Sequence, residues 1–364
     1  MKNAKLFSTI LTAILLISVL SSCSPETEPS AAPEPALSMP SSVDEGVDTA
    51  ITITDYTAYQ GEDQDMFLTS GANIAVISPC SLPSRQQVDD TLEGLRAWGY
   101  NPVEGSFVAT EGRTTEQLTE DIIWALTDPD IDAIFCVRGG YGASHIMDDI
   151  ALDLISDSHK LIIGYSDVTV YHNAWASAGL MSIHACMSGA FTLPEECRTA
   201  EQNMMQGMIP TYECESNSYC NPGEANGVLI GGNLSTFDAV IDSAYDYTRT
   251  GQPYILFLED IGEDYNHIDR MLAILDHAGV LDNASGIIFG EWTGIQYYEG
   301  YNGNEQGGSY ESVADMIDRN YFSDSDIPVA YGFPAGHGDI NYPLLMGADA
   351  HLTVNEDTYT LTWE

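Results

Sequence analysis

A serine, an acid and a histidine of this 364-residue chain each stand just past an apolar run, where hydrolytic chemistry could be done. Ser166 follows Leu161–Ile163 and Gly164-Tyr165 and precedes a helix-like stretch from Val168 to Ala178. A serine on a strand–turn–helix junction stands clear of its sheet, and an oxyanion formed there meets unpaired N–H groups at the helix start. The surroundings are not Gly-x-Ser-x-Gly, and a Ser-Asp pair before a helix is also a common N-cap. Glu259 ends the run Tyr254–Leu258. An acid at the tip of a buried strand is held in one place and can orient a histidine and stabilise its charged form. His337 lies in Gly336-His337-Gly338. Its flanking glycines give it freedom to reach across a cleft as a general base near neutral pH. His172, His267 and His277 fall within helical patterns, where surface or packing roles are expected.

Other residues bear on the same chemistry. Arg138-Gly139-Gly140-Tyr141-Gly142 follows the apolar run Ala133–Val137. Glycines there permit close backbone approach, which suits a tight turn or an oxyanion donor beside Ser166. Cys186 is a second conceivable nucleophile, but no helix starts right after it. Glu259-Asp260 and Glu263-Asp264 resemble a cation site, yet their spacing matches no calcium loop. No Cys-x-x-Cys pair exists, so no zinc site is expected, and no metal ligand is assigned.

These residues need elements to position them. From Ala72 onward strands and helices alternate: strands at Ile74–Ser78, Ala133–Val137, Leu161–Ile163 and Met181–His184, and helices at Gln86–Trp98 and Thr115–Leu126. Continuous apolar strands between helices imply a parallel sheet covered on both faces. Residues 190 to 225 hold Pro194, Pro210, Pro222 and three cysteines with little periodicity, which reads as an interdomain connection. A second unit starts at Gly227, with Gly231-Gly232-Asn233 after its first strand, a helix at Tyr265–Ala278, and closing strands near Ala350–Val354 and Tyr359–Trp363. A strand-like piece at Ala50–Tyr56 has no evident place.

The N-terminus is a targeting segment. Lys2 and Lys5 precede the apolar run Leu11–Leu20, and Leu20-Ser21-Ser22-Cys23 looks like a bacterial lipobox. The resemblance implies cleavage before Cys23, lipidation of its thiol and an extracytoplasmic, membrane-anchored protein. A Pro/Ser/Glu/Ala-rich stretch to about residue 48 reads as a flexible tether. The net charge is −44; without the two leader lysines it is −46, and Lys160 is the only lysine left. Such a surface excludes nucleic acid or anionic headgroups held through a basic patch. Its acids are spread along the whole chain, which favours an adapted surface over a cation-binding one. Six cysteines remain after Cys23: Cys214 and Cys220 are placed for a disulfide in an exported protein, and Cys80 and Cys136 read as buried thiols.

Lys160-Leu-Ile-Ile-Gly-Tyr-Ser-Asp-Val-Thr169, Arg138–Gly142, Gly231-Gly-Asn-Leu234, Phe257-Leu-Glu-Asp260 and the glycine-flanked His337 together resemble the LD-carboxypeptidase family of serine peptidases, over roughly residues 72–355. That family includes murein tetrapeptide carboxypeptidases and microcin C immunity proteins. The resemblance implies Ser166 as nucleophile, His337 as general base and Glu259 as its orienting acid. It implies an oxyanion hole from the Asp167 N–H with one from Gly139-Gly140, and substrate contacts at Arg138, Tyr141 and Asn233. It also implies an α/β fold, an N-terminal amidotransferase-like parallel-sheet domain plus a smaller C-terminal α/β domain with the site in the cleft between them. The function expected on this resemblance is release of a terminal D-amino acid from peptidoglycan tetrapeptides, with hydrolysis of aminoacyl-nucleotide antibiotics or non-catalytic peptide binding as alternatives; members use no cofactor and often form homodimers. The expected division is a signal peptide at 1–22, a tether and extension at 23–70, a nucleophile domain at 71–190, a connection at 191–226 and a domain carrying Glu259 and His337 at 227–364. Two places depart from the family pattern: His184-Ala185-Cys186-Met187 where His-Gly-Pro-Met is usual, and Leu345 where a proline is usual.

Overall fold

In the computed structural model, residues 42–44, 49–61, 63–297 and 310–363 are described. The leader, Cys23 and most of the tether lie outside the described residues. The expected parallel sheet is present. Asn101–Glu104, Asn73–Ile77, Ala133–Cys136, Leu161–Gly164 and Ser182–His184 run parallel in that spatial order. Ala133–Cys136 and Leu161–Gly164 are buried at every position, which is why they read as unbroken apolar runs rather than alternating ones. Helices Arg85–Ala97 and Thr115–Thr127 flank the sheet, and each opens on a capping box, Ser84 with Gln87 and Thr114 with Gln117. Lys160 is buried, its ammonium donating to the Ala125 and Asp128 carbonyls at 2.8 and 2.7 Å. It therefore closes the C-terminal end of the Thr115–Thr127 helix, where orphan carbonyls and the helix dipole favour a cation.

A second sheet has eight strands. Val329–Tyr331, Gly286–Thr293, Tyr254–Ile261 and Gly223–Asn233 are parallel neighbours, and Asp349–Val354, Thr358–Trp363, Met208–Glu215 and Ile51–Ala58 extend the sheet antiparallel. It thus exceeds the first sheet in strand number, because it recruits strands from outside the expected C-terminal segment. The piece near Ala50–Tyr56 is its edge strand. The segment read as a connection holds a helix, Glu195–Met205, and the strand Met208–Glu215. The prolines that disguised these elements are harmless where they stand. Pro194 sits at the helix start, where its missing N–H costs nothing. Pro210 pairs with Tyr56 only, beyond the stretch of its strand that also pairs with Thr358–Leu361. The expected Cys214–Cys220 disulfide is absent: both are free thiols, Cys214 within the sheet core opposite Tyr359 and Cys220 in the following turn. Cys80 and Cys136 are buried thiols, as expected.

One strand crosses between the layers. Leu344–Met346 pairs antiparallel with Ser182–His184 in the first sheet, between the His337 loop and Asp349–Val354 of the second. One departure from the family pattern, Leu345, falls on this pair opposite Ile183; the other, Ala185-Cys186, begins directly after His184, which keeps the usual residue and pairs with Leu344. Elsewhere the layers meet where the buried helix Thr169–Ser177 packs on Gly223–Asn233: the Asn233 N–H donates to Thr169 Oγ1 at 2.9 Å and Asn173 Nδ2 to the Gly231 carbonyl at 3.2 Å.

Candidate active site

Ser166 stands at the end of the Leu161–Gly164 strand with φ of +64°. A non-glycine residue held there costs about 1–3 kcal/mol and persists only where the surroundings enforce it. The enforcement is visible on both sides. Gly164 packs so tightly that a Cβ would lie 3.0 Å from Val168 and 3.1 Å from Cys136. Its carbonyl accepts from His172 Nε2 at 2.8 Å. A carbonyl only accepts, so that nitrogen carries the proton and His172 Nδ1 accepts from the Ser182 hydroxyl at 2.8 Å. Burial pushes His172 down to about 4, so the ring is neutral and serves the elbow as a strut. Asp167 follows. Its buried carboxylate accepts from the Ala143 N–H at 2.9 Å, and burial raises its pKa despite that bond.

The Arg138–Gly142 turn lies against the elbow. A Cβ on Gly139 would sit 2.9 Å from Ser166 Cβ, 3.1 Å from its Oγ and 3.2 Å from the Asp167 nitrogen. The turn is stitched to Ser81, whose N–H donates to the Gly139 carbonyl and whose hydroxyl accepts from the Tyr141 N–H, both at 3.1 Å. In a trans peptide the N–H opposes the C=O, so the Gly140 N–H points away from Ser81. Among the described residues neither it nor the Asp167 N–H has a hydrogen-bond acceptor. The other members of the turn are at the rim. Arg138 is exposed and donates to the Leu82 carbonyl at 3.1 Å; Tyr141 is 70% exposed, its hydroxyl 2.7 Å from His145 Nε2.

Glu259 and His337 come from the second layer. Glu259 is fully buried at the end of Tyr254–Ile261, and its Oε2 lies 2.7 Å from His337 Nδ1. With Nδ1–H given to the carboxylate, Nε2 is left as the basic nitrogen. Burial of the ring lowers its pKa, but the charge and hydrogen bond of Glu259, then Asp260 and Glu291, outweigh burial and leave it raised. The imidazole lies over the ring of Tyr165, the residue before Ser166, with centroids 4.8 Å apart. Among the described residues the half-buried Ser166 hydroxyl has no hydrogen-bond partner, and catalytic bonds of this kind commonly tighten only when substrate is bound.

The glycines beside His337 do not serve its freedom, as the sequence suggested. Gly336 abuts Glu259, where a Cβ would lie 2.9 Å from Oε2, and Gly338 abuts Glu291, where it would lie 2.0 Å from Oε2. They are glycines because a carboxylate occupies the space on each side. Asn233, expected to line the substrate pocket, is buried with its amide committed to structure: Oδ1 caps the following helix at Thr236, and Nδ2 donates to Asp260 at 2.8 Å. The acidic cluster is dispersed in the same way. Asp260 also accepts from the Ile261 and Ser235 N–H groups, burial and Glu259 raising it to about 6; Glu263 pairs with His267 and Asp264 caps the next helix. Cys186 is buried and pushed up to about 12, which removes it as a nucleophile near neutral pH.

The sequence reading missed Tyr165, His184 and Glu291. His184 is fully buried beside Tyr165, Phe257 and His172; burial, with the nearby His172 and His337, holds it well below the ordinary histidine range. Glu291 lies near the C-terminal end of a parallel strand beside the one carrying Glu259, and that position was the available signal.

Comparison with known proteins places both sheets in one family. Residues 74–185 match the family model of the LD-carboxypeptidase N-terminal domain, and residues 226–352 that of the LD-carboxypeptidase C-terminal domain. A probable murein peptide carboxypeptidase of Bacillus subtilis is 28% identical over 303 residues, 80% of this chain and 92% of the relative. The microcin C7 self-immunity protein of Escherichia coli is 22% identical over 322 residues, 78% of this chain and 90% of the relative. The crystal structure of muramoyltetrapeptide carboxypeptidase from Oxalobacter formigenes superposes with a TM-score of 0.69 at 25% identity, covering 80% of this chain and 98% of that one. Both halves of the fold thus match a single family, and the chain belongs to the LD-carboxypeptidase family of serine peptidases.

Proposed function

We propose that this protein is a serine carboxypeptidase that hydrolyses the amide between an L-configured centre and a terminal D-amino acid, releasing D-alanine from peptidoglycan tetrapeptides. The observation that carries the reading is the buried Glu259–His337 pair at 2.7 Å beside a nucleophile elbow strained at Ser166. In this mechanism His337 Nε2 takes the Ser166 proton as Oγ attacks the scissile carbonyl carbon. The N–H groups of Asp167 and Gly140 receive the oxyanion, which ranks among the larger contributions to such reactions. The imidazolium then protonates the leaving amine, an acyl-enzyme remains, and a water deprotonated by the same imidazole releases it. Glu259 keeps Nδ1 protonated throughout. Arg138 and Tyr141, at the exposed rim of the elbow, would contact the peptide. Lipidation at Cys23 would hold the enzyme on the extracytoplasmic face of a membrane, beside its polymer substrate.

The test is incubation of purified protein with a murein tetrapeptide, with D-alanine release measured beside the Ser166→Ala variant. Release that vanishes in the variant supports the reading. No release from the tetrapeptide, with cleavage of an aminoacyl-nucleotide analogue instead, would transfer the assignment to the activity class of the microcin immunity relative.

A further inference from the structure

We propose that Glu291 is a positioning residue for His337, pinning the loop through the Gly338 N–H while placing a further carboxylate near the imidazole. The inference rests on the reading of His337 as the base. The Glu291 backbone N–H donates to the Ala335 carbonyl at 3.1 Å, and its Oε2 accepts from the Gly338 N–H at 2.6 Å. One residue thus grips the loop two positions before His337 and again one position after it. Gly338 is fitted to this grip, since a Cβ there would lie 2.5 Å from the Glu291 carboxyl carbon. On the other flank the Gly336 N–H donates to Asn341 Oδ1 at 3.1 Å, so the loop is held at both shoulders and at Nδ1.

The charges around the ring give the grip an electrostatic consequence. Glu259 faces it from the Tyr254–Ile261 strand and Glu291 approaches from the Gly286–Thr293 strand; Asp260, bonded to Asn233 and Ser235, adds its charge from the residue after Glu259, and Asp339 follows in the loop itself. The groups behind it are neutral: Tyr165 from the elbow and His184 from the Ser182–His184 strand. Each carboxylate favours the imidazolium, so Glu291 supports the charged form that exists after proton transfer and raises the pH at which the base is free.

The experiment is a titration of the His337 imidazole by NMR, with the pH profile of kcat/KM on a murein tetrapeptide, in the wild type, Glu291→Gln and Glu291→Ala. Glutamine keeps an acceptor for Gly338 but no charge. The His337 midpoint and the acid limb of the profile are expected to fall by about half a pH unit or more in both variants. Alanine is expected to lose at least tenfold in kcat, and glutamine to recover most of that loss. A His337 midpoint in Glu291→Gln identical to the wild type would overturn the inference, as would equal kcat losses in the two variants. If the wild type cuts no peptide, a lowered midpoint still upholds the placement of Glu291 while the proposed activity falls.

Discussion

Replacing Gly139 with alanine should stop catalysis while leaving the protein folded. The added methyl would lie 2.9 Å from Ser166 Cβ, 3.1 Å from Oγ and 3.2 Å from the Asp167 nitrogen. Rotating the hydroxyl cannot relieve this, because Cβ and the backbone nitrogen are equally close. Either the elbow or the Arg138–Gly142 turn must move by a few tenths of an ångström. Overpacking of this kind costs about 1–3 kcal/mol, against a typical domain stability of about 5–15 kcal/mol, so folding survives. Catalysis is less tolerant. The shift separates the Asp167 and Gly140 N–H groups and sets a methyl where the reacting carbonyl must approach. Loss of one oxyanion donor lowers kcat about 10²–10³-fold, or about 2.7–4 kcal/mol of transition-state stabilisation. The measurements are D-alanine release at saturating tetrapeptide, the rate of fluorophosphonate labelling at Ser166, and the thermal midpoint. A Gly139→Ala enzyme with kcat within threefold of the wild type and unchanged labelling would show that the turn does not face the reacting carbonyl.

Other substitutions read other parts of the site. Ser166→Gly removes the proposed nucleophile and the cost of its +64° φ, so it should abolish activity while raising stability by up to about 1 kcal/mol in urea denaturation. Glu259→Gln should lower kcat by about 10²–10⁴-fold and move the acid limb of the pH profile downward, since the imidazolium loses its nearest charge. His172 is held at about 4 in the fold, below the ordinary 6.5. Its contribution is complete above pH 6.5, falls as the unfolded chain takes a proton that the folded one refuses, and is fully lost below pH 4, a change of about 3 kcal/mol. His172→Gln should therefore flatten the stability curve between pH 6.5 and 4; an unchanged slope there would refute the buried neutral ring.

Much of this was legible in the sequence, for reasons specific to particular segments. Ala133–Cys136 and Leu161–Gly164 announced themselves because strands buried on both faces carry no polar residue to obscure them. Ser166, Glu259 and His337 stood out as candidates because parallel strands deliver side chains at one end, and the fold places Glu259 against His337 at 2.7 Å. Met208–Glu215 escaped because its proline looked like a break, and whether a missing N–H matters depends on which neighbour the strand lacks, a fact of register. The glycines at 336 and 338 were seen but misread: local sequence suggests mobility, whereas their cause is two carboxylates dozens of residues away. Asn233 was read as a pocket residue, and sequence alone gave no sign that its amide is bonded to Asp260 at 2.8 Å.

The crossing strand Leu344–Met346 has a mechanical consequence. After delivering His337, the chain is laced into the opposite layer alongside His184, then returns to its own sheet. The two lobes are sewn rather than hinged, and a wide clam-shell motion would have to unzip buried ladder bonds in the first sheet. Substrate entry is therefore a matter for the rim, and the placement of the His337 loop relative to the first sheet is inherited from the tertiary fold itself.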